Sequence, residues 1–183
     1  MGSEMCIRDR INLQKSNAAT TSFLVYLHDL MQTGQTAKDK SVHVVGHHSF
    51  MFFLQEPWAP KNPVAGVGTR HQLHYDRTAS RPPRAAILAS TDLDLWFQPD
   101  FSTPDISVCL WKTGQPATPH IYVASVYQDI TVSTVSAALS KLAQYCNRHS
   151  KRLLLCCDTN SHSTLWNCDT SNKRGEDLSL IHI

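Results

Sequence analysis

Arg152-Leu153-Leu154-Leu155-Cys156-Cys157-Asp158-Thr159-Asn160-Ser161-His162 is the stretch on which the reading of this chain turns. A continuous apolar run this short, from Arg152 to Cys157, predicts a buried strand rather than a helix. It stops on an acid, an amide and an imidazole, for which a buried strand has no structural use. Just upstream, Val135, Leu139, Leu142 and Cys146 fall on one face of an amphipathic helix with Ser133 as its cap. Before that helix, His120 to Tyr127 alternates, with Ile121, Val123, Ser125 and Tyr127 on one face and Tyr122, Ala124 and Val126 on the other. Ile106 to Lys112, Leu93 to Phe97 and Arg84 to Ser90 are further predicted strands.

A second apolar run, Phe50-Met51-Phe52-Phe53-Leu54, ends at Gln55-Glu56-Pro57-Trp58, where Pro57 stops the ladder and leaves Glu56 at the strand's end. At the start, Ile11 to Ser16 alternates like a short strand. Asn17 then caps a helix with Phe23, Leu27, Leu30 and Met31 on one face and Gly34 at its end. Asn62 to Thr69 is a Gly- and Pro-containing loop, and everything after Ser161 is polar and turn-rich. Strand, helix, strand, several strands, helix, strand is the order of a layered α/β domain.

Composition narrows the function classes. The 183 residues suffice for one domain with a real core, and 42% hydrophobic against 17% charged residues describes a globular chain. With 17 Lys and Arg against 15 Asp and Glu, the net charge of +2 excludes a basic arm as the main activity. No apolar run approaches the ~20 residues of a membrane span, and no secretory signal opens the chain. The adjacent Cys156 and Cys157 read as reduced core residues, so an intracellular protein is expected.

Polar groups gather at predicted strand ends: Asn12 within the first strand, Glu56, Tyr127, and Asp158 with Asn160. Ligands of α/β sheets collect outside the carboxyl ends of strands. Singly, each residue reads as a turn or cap. Together, the acids and amides suit an oxygen-ligand Mg2+ site. Cys156, Cys157, His162 and Cys168 lack the paired spacing of structural zinc, and His47-His48 and His71-x-x-His74 lie in polar connections. Arg70, Arg77, Arg81 and Arg84 fit a phosphate-contacting surface or a solvated loop equally well. Trp58, Trp96, Trp111 and Trp166 read as core or loop anchors.

Taken in order, Ile11-Asn12-Leu13-Gln14-Lys15-Ser16, Gln55-Glu56-Pro57-Trp58, Arg81-Pro82-Pro83-Arg84-Ala85-Ala86-Ile87, Ala124-Ser125-Val126-Tyr127 and Asp158-Thr159-Asn160-Ser161-His162 make a pattern. Leu165-Trp166 and Arg174-Gly175-Glu176-Asp177-Leu178 complete it. It resembles the endonuclease/exonuclease/phosphatase superfamily, and within it the endonuclease domain of LINE-like, non-LTR retrotransposons. The resemblance implies a two-sheet α/β sandwich with outer helices. Glu56 is then the principal Mg2+ (or Mn2+) ligand with Asn12 beside it. Asp158 orients or deprotonates the attacking water, Asn160 bonds the phosphate, and Tyr127 steadies the phosphoryl oxygens. His162 is site-adjacent. The implied reaction is nicking of DNA to leave a 3′-hydroxyl, and the implied partners are DNA and a reverse transcriptase domain, with nuclear location in a functional element and no membrane.

The family pattern closes on a Ser-Asp-His motif that these residues do not contain. The fold is therefore expected to be incomplete at its C-terminus, with an exposed sheet edge, and the chain to be inactive as it stands. A phosphatase or phosphodiesterase of the same fold, or a non-catalytic nucleic-acid-binding remnant, are the alternatives. The ends carry a separate signal. Codons for Met5 to Arg10, read as their reverse complement, spell Leu178-Ser179-Leu180-Ile181-His182-Ile183. That DNA resembles a sequencing-library adapter, so residues 1–10 and 178–183 are expected to be adapter-derived around a partial domain at 11–177.

Overall fold

A computed structural model of the chain describes residues 7–32, 49–60, 64, 66–67, 71–132 and 134–181. Two four-stranded sheets form the centre. In the first, β1 (Ile7–Asn12), β2 (Phe50–Gln55), β4 (Ala85–Ser90) and β3 (His71–His74) lie in the order β1-β2-β4-β3. The second is ordered β5-β6-β7-β8, from β5 (Asp94–Phe97), β6 (Ile106–Lys112), β7 (His120–Tyr127) and β8 (Arg152–Asp158). The helices are α1 (Asn17–Gln32), α2 (Ala137–Arg148) and α3 (Lys173–Ile181).

Each sheet contains one parallel pair, β1 with β2 and β7 with β8, and the rest are antiparallel. A parallel pair needs a crossover, and α1 and α2 supply the two. Three apolar clusters follow from this layering. Phe23 and Leu27 of α1 pack on Phe50, Phe52 and Leu54 of β2, while the opposite face of β2, Met51 and Phe53, meets Cys109, Trp111 and Val123 between the sheets. Leu139, Leu142 and Cys146 of α2 cover Val108, Ala124 and Val126 on the far side. Covered on both faces, all six residues of β2 are buried, as its unbroken apolar run requires.

Several local expectations shift. β1 ends at Asn12 instead of running to Ser16, because Leu13 leads into a turn at Gln14 and Lys15, both with φ of 51°. Ser16, not Asn17, caps α1: its hydroxyl accepts the Ala19 N–H at 3.1 Å. Ser136 caps α2 by accepting the Leu139 N–H. Ser133, Gly34, His47, His48 and Arg70 lie outside the described residues, as do the side chains of Leu30, Met31 and Trp166. His71 and His74 are in β3, not in a connection. β8 is half-buried because it is the last strand of its sheet among the described residues. After Ser161 the chain forms a 3₁₀ turn at Thr164–Trp166 and then α3, with Leu178 buried against the α2 cluster. β1 begins at Ile7 and α3 ends at Ile181, so regular structure reaches into both end segments. That concerns their conformation, not the origin of the DNA encoding them.

Candidate active site at the shared strand edge

β1, β2, β7 and β8 all deliver their carboxyl ends to one edge of the sandwich. Register fixes this locally, with Asn12 opposite Gln55 and Tyr127 opposite Asp158. Across the sheets, the Asn12 amide donates to the Asp158 carboxylate at 2.5 Å, clipping the last residue of β1 to the last of β8. Asn12 holds its own rotamer by accepting the Gln14 N–H at 2.8 Å. Glu56 leaves β2 with φ of 48°, donates its N–H to the Arg84 carbonyl at 2.8 Å and faces the Lys15 ammonium at 3.3 Å. Gln14, Lys15, Glu56 and Asn160 are four of the six described non-glycine residues at positive φ. Left-handed backbone is costly outside glycine, and its concentration at one edge is the pattern of a site.

Gln55 is buried beneath this edge. Its amide donates to the Ser125 hydroxyl at 2.9 Å and to the Cys156 carbonyl at 3.3 Å, while Ser125 donates to the Leu54 carbonyl at 2.9 Å. The strand that carries Glu56 is thus tied to the strands that carry Tyr127 and Asp158. Burial first, then the charge and hydrogen bond of Glu56, push the Tyr127 hydroxyl above its ordinary pKa, with Arg84 opposing them.

Arg84 is the hub that the sequence did not single out. Its fork binds Asp105 at 2.7 and 2.9 Å and Asp129 at 2.5 Å, and its guanidinium lies 4.8 Å from the centre of the Tyr127 ring. Arg81 adds two further bonds to Asp105 at 2.9 and 2.6 Å, and Arg77 lies against Tyr75. Arg81 and Arg84 are therefore committed to internal pairs and do not form a bare phosphate-contacting surface. Burial pushes Asp105 up, but Arg84 and then Arg81 outweigh it and its pKa is lowered. Asp129 is held well below the carboxylate range by the Thr131 N–H, by Arg84 and by the Thr131 hydroxyl. Groups with a depressed folded pKa stabilise fully above the unfolded value, 3.8 for these acids, and lose that stabilisation as pH falls through the folded value. The melting temperature is expected to drop steeply below about pH 4, and less steeply in Asp105→Asn. Equal slopes in the two proteins would contradict this pairing.

Beyond β8, Asn160 donates to the Gln128 carbonyl at 3.0 Å, so its amide is partly engaged inside the loop. His162 is exposed, and its backbone is held by Asn172. Arg174, almost fully buried, donates to the carbonyls of Thr159 and of Asp129, the latter at 2.8 Å. Arg174 and Gly175 thus support the Asp158–His162 segment from below. The structure brings Asn12, Glu56, Tyr127 and Asp158 together directly, with Asn160 and His162 on the adjoining loop. Sequence reasoning missed Asp105 and Asp129, acids in turns with no periodicity to mark them.

The donor set suits a hard cation. Among the described residues, no group of three or more His, Cys, Asp and Glu side chains is placed to cage a metal. Mg2+ asks for less: one or two protein oxygens, with water and phosphate completing its octahedron. The Glu56 carboxylate, already holding the Lys15 cation, and the Asn12 carbonyl oxygen, with a second lone pair left, meet that need. Among the described residues, the cysteines at 109, 146, 156, 157 and 168 form no disulfide, with Cys156 packed against the inter-sheet core and Cys157 against the α2 cluster.

A two-sheet α/β sandwich with outer helices and a polar site at one strand edge has the fold of the endonuclease/exonuclease/phosphatase superfamily. Residues 121–182 match the model of the endonuclease-reverse transcriptase family. That span carries Tyr127, Asp158, Asn160 and His162; Asn12 and Glu56 lie outside it. Among solved structures, the chain is similar to the endonuclease domain of TRAS1, a telomere-specific non-LTR retrotransposon. The TM-score is 0.62 at 21% identity, covering 94% of this chain and 67% of that one. No curated protein sequence matches. The family match covers about a third of the chain, and the structural likeness is one of fold.

Proposed function

We propose that this edge is the phosphodiester-cleaving site of a metal-dependent DNA endonuclease from a non-LTR retroelement. The meeting of Asn12, Glu56, Tyr127 and Asp158, from four strands and two sheets, supports it most. Glu56, with Asn12 beside it, would hold Mg2+ (or Mn2+), which when bound polarises the phosphodiester. Asp158, oriented by the Asn12 amide, would orient or deprotonate the attacking water. Asn160 and the protonated Tyr127 hydroxyl would donate to phosphoryl oxygens as charge develops. Fixed donors of this kind do most of their work by positioning and electrostatics. A nick leaving a 3′-hydroxyl would then serve a reverse transcriptase of the same element, in the nucleus. No helix among the described residues is long and apolar enough to cross a membrane.

These 183 residues hold no Ser-Asp-His string to supply the base that the family uses. Metal binding without measurable nicking is therefore the expected behaviour. Titration with Mn2+, followed by electron paramagnetic resonance, should show binding that Glu56→Gln weakens at least about tenfold, the loss of one charged ligand. Binding indifferent to Glu56 would sink the metal assignment, and Mg2+-dependent plasmid nicking abolished by Glu56→Ala would overturn the expected inactivity. Glu56-dependent hydrolysis of p-nitrophenyl phosphate would favour the phosphatase alternative instead.

A further inference from the structure

We infer that the pole opposite this site is a second nucleic-acid surface, which holds the phosphate backbone of a single-stranded RNA. The choice of partner rests on the reading above, in which the nick serves a reverse transcriptase, an enzyme that copies RNA. The surface itself rests on charge. Between Asp129 and Asp158 the sequence carries Lys141, Arg148, Lys151 and Arg152 and no acid, in a chain of net charge +2. As the crossover between two parallel strands, α2 runs back from the site edge. Its last residue, Arg148, and the first residue of β8, Arg152, therefore reach the same pole. Arg152 lies about 20 Å down the strand from Asp158.

All four cations are exposed, and so are the neutral Gln144, Asn147, His149 and Ser150 among them. Lys15, Arg81, Arg84 and Lys173 each hold a carboxylate, whereas no carboxylate among the described residues pairs with these four. One cation in the last turn answers the helix dipole, and Arg148 fills that place, so the others have no such duty. Lys141 and Arg148 share one stripe of α2, about 10 Å apart along its axis. Both line a cavity of about 280 Å³ between α2 and the 3₁₀ turn Pro99–Phe101. The Asp100 carbonyl fixes the Lys141 ammonium there at 3.0 Å, and the Asp100 side chain is the one acid of that lining. Asp94, at this end of the same sheet, is on β5, three strands from β8, and accepts the Trp96 N–H at 2.6 Å.

A phosphate backbone fits this face better than a protein does. Protein interfaces need an apolar centre, and from Ala137 to Arg152 no large apolar side chain is exposed. The Tyr145 ring packs on Phe101 at 5.0 Å and on His149 at 4.7 Å, so charge and hydrogen-bond donors are what the face offers. Isolated surface pairs with carboxylates contribute little, whereas a polyphosphate releases condensed counterions at every contact. Duplex DNA under attack at the far edge is a stiff rod. The strand held at this pole is therefore a separate and flexible one.

The test uses the whole chain, fluorescein-labelled rU12 and anisotropy across a salt series. The logarithm of affinity is expected to fall against that of salt with a slope of about −3, or about −0.7 for each of the four contacts. Arg148→Gln combined with Lys151→Gln should weaken binding about tenfold and make the slope shallower by about 1.4. Arg152→Gln alone, on β8, should make it shallower by about 0.7 and stands even if the double variant fails to fold. Lys173→Ala, on α3, should change neither quantity. Phosphate contacts do not read the sugar, so unlabelled dT12 is expected to displace rU12 no better than rU12 itself does. Affinity and slope unchanged in both sets of variants would overturn the surface. Stronger displacement by dT12 would overturn the RNA assignment, and equal displacement by polyglutamate would point to an acidic protein instead. Absence of rU12 binding beside Glu56-dependent Mn2+ binding removes this surface and leaves the endonuclease reading in place.

Discussion

Gly175→Ala is expected to destabilise the chain by about 3 kcal/mol and to dislodge the loop that follows β8. A Cβ at this position would lie 1.8 Å from the His162 carbonyl oxygen and 2.5 Å from its carbon. Neither side can give way. The His162 backbone is pinned by Asn172, whose side chain accepts the His162 N–H at 3.3 Å and whose own N–H donates to the His162 carbonyl at 3.0 Å. The same Asn172 oxygen accepts the Gly175 N–H at 2.8 Å, capping α3. The clash is backbone against backbone, so rotamer changes offer no escape. Helix propensity alone would favour alanine over glycine by about 1 kcal/mol, so the sign is diagnostic. Urea denaturation measures it. Gly114→Ala is the control, since Gly114 has φ of 70° but no atom within 4 Å of its added Cβ, and only the backbone cost of about 1 kcal/mol should appear. A Gly175→Ala midpoint at or above that of the unmodified chain would refute the packing argument.

Strands with strict alternation or unbroken apolar runs were the legible part of this fold. β6 and β7 start and stop where the sequence predicts, and β2 and β4 do so within a residue. Acids at the ends of such runs stand out, which is why Glu56 and Asp158 could be read as a pair of strand ends. β1 could not, because Arg8, Asp9 and Arg10 break its apolar pattern and pairing with β2 overrides local preference. β3 is four half-buried residues, two of them histidine, and carries no periodic signal. The Arg174-Gly175 string was legible as a pattern, whereas its work under the Asp158–His162 loop depends on contacts ten or more residues away. Arg84 looked like one surface arginine among four. Its partners Asp105 and Asp129 sit 21 and 45 residues downstream, in turns, and only the folded edge brings them together.

That hub carries the second large effect. Arg84→Ala is expected to destabilise the chain by about 2 kcal/mol through the Asp105 fork alone, between the 0–1 of exposed pairs and the 3–5 of buried ones. The side chains are 17% and 23% exposed, so screening is partial and the removed fork leaves Asp105 short of charge compensation. Arg81 still grips Asp105, which limits the loss. The consequence reaches the site, because Asp105 also accepts the Tyr127 N–H on its carbonyl at 2.9 Å and Arg84 itself covers the Tyr127 ring. With the guanidinium gone, Asp105 and Asp129 titrate closer to the ordinary carboxylate value, so the variant's stability should depend less on pH in the acid range. Arg84→Lys keeps the charge without the two-pronged geometry and should recover only part of the stability. A double-mutant cycle of Arg84→Ala with Asp105→Asn separates pairing from packing, and the two losses should fall well short of adding. Strict additivity, or an acid-range slope unchanged by Arg84→Ala, would show that the site edge is held by the sheets alone and that Arg84 is a bystander.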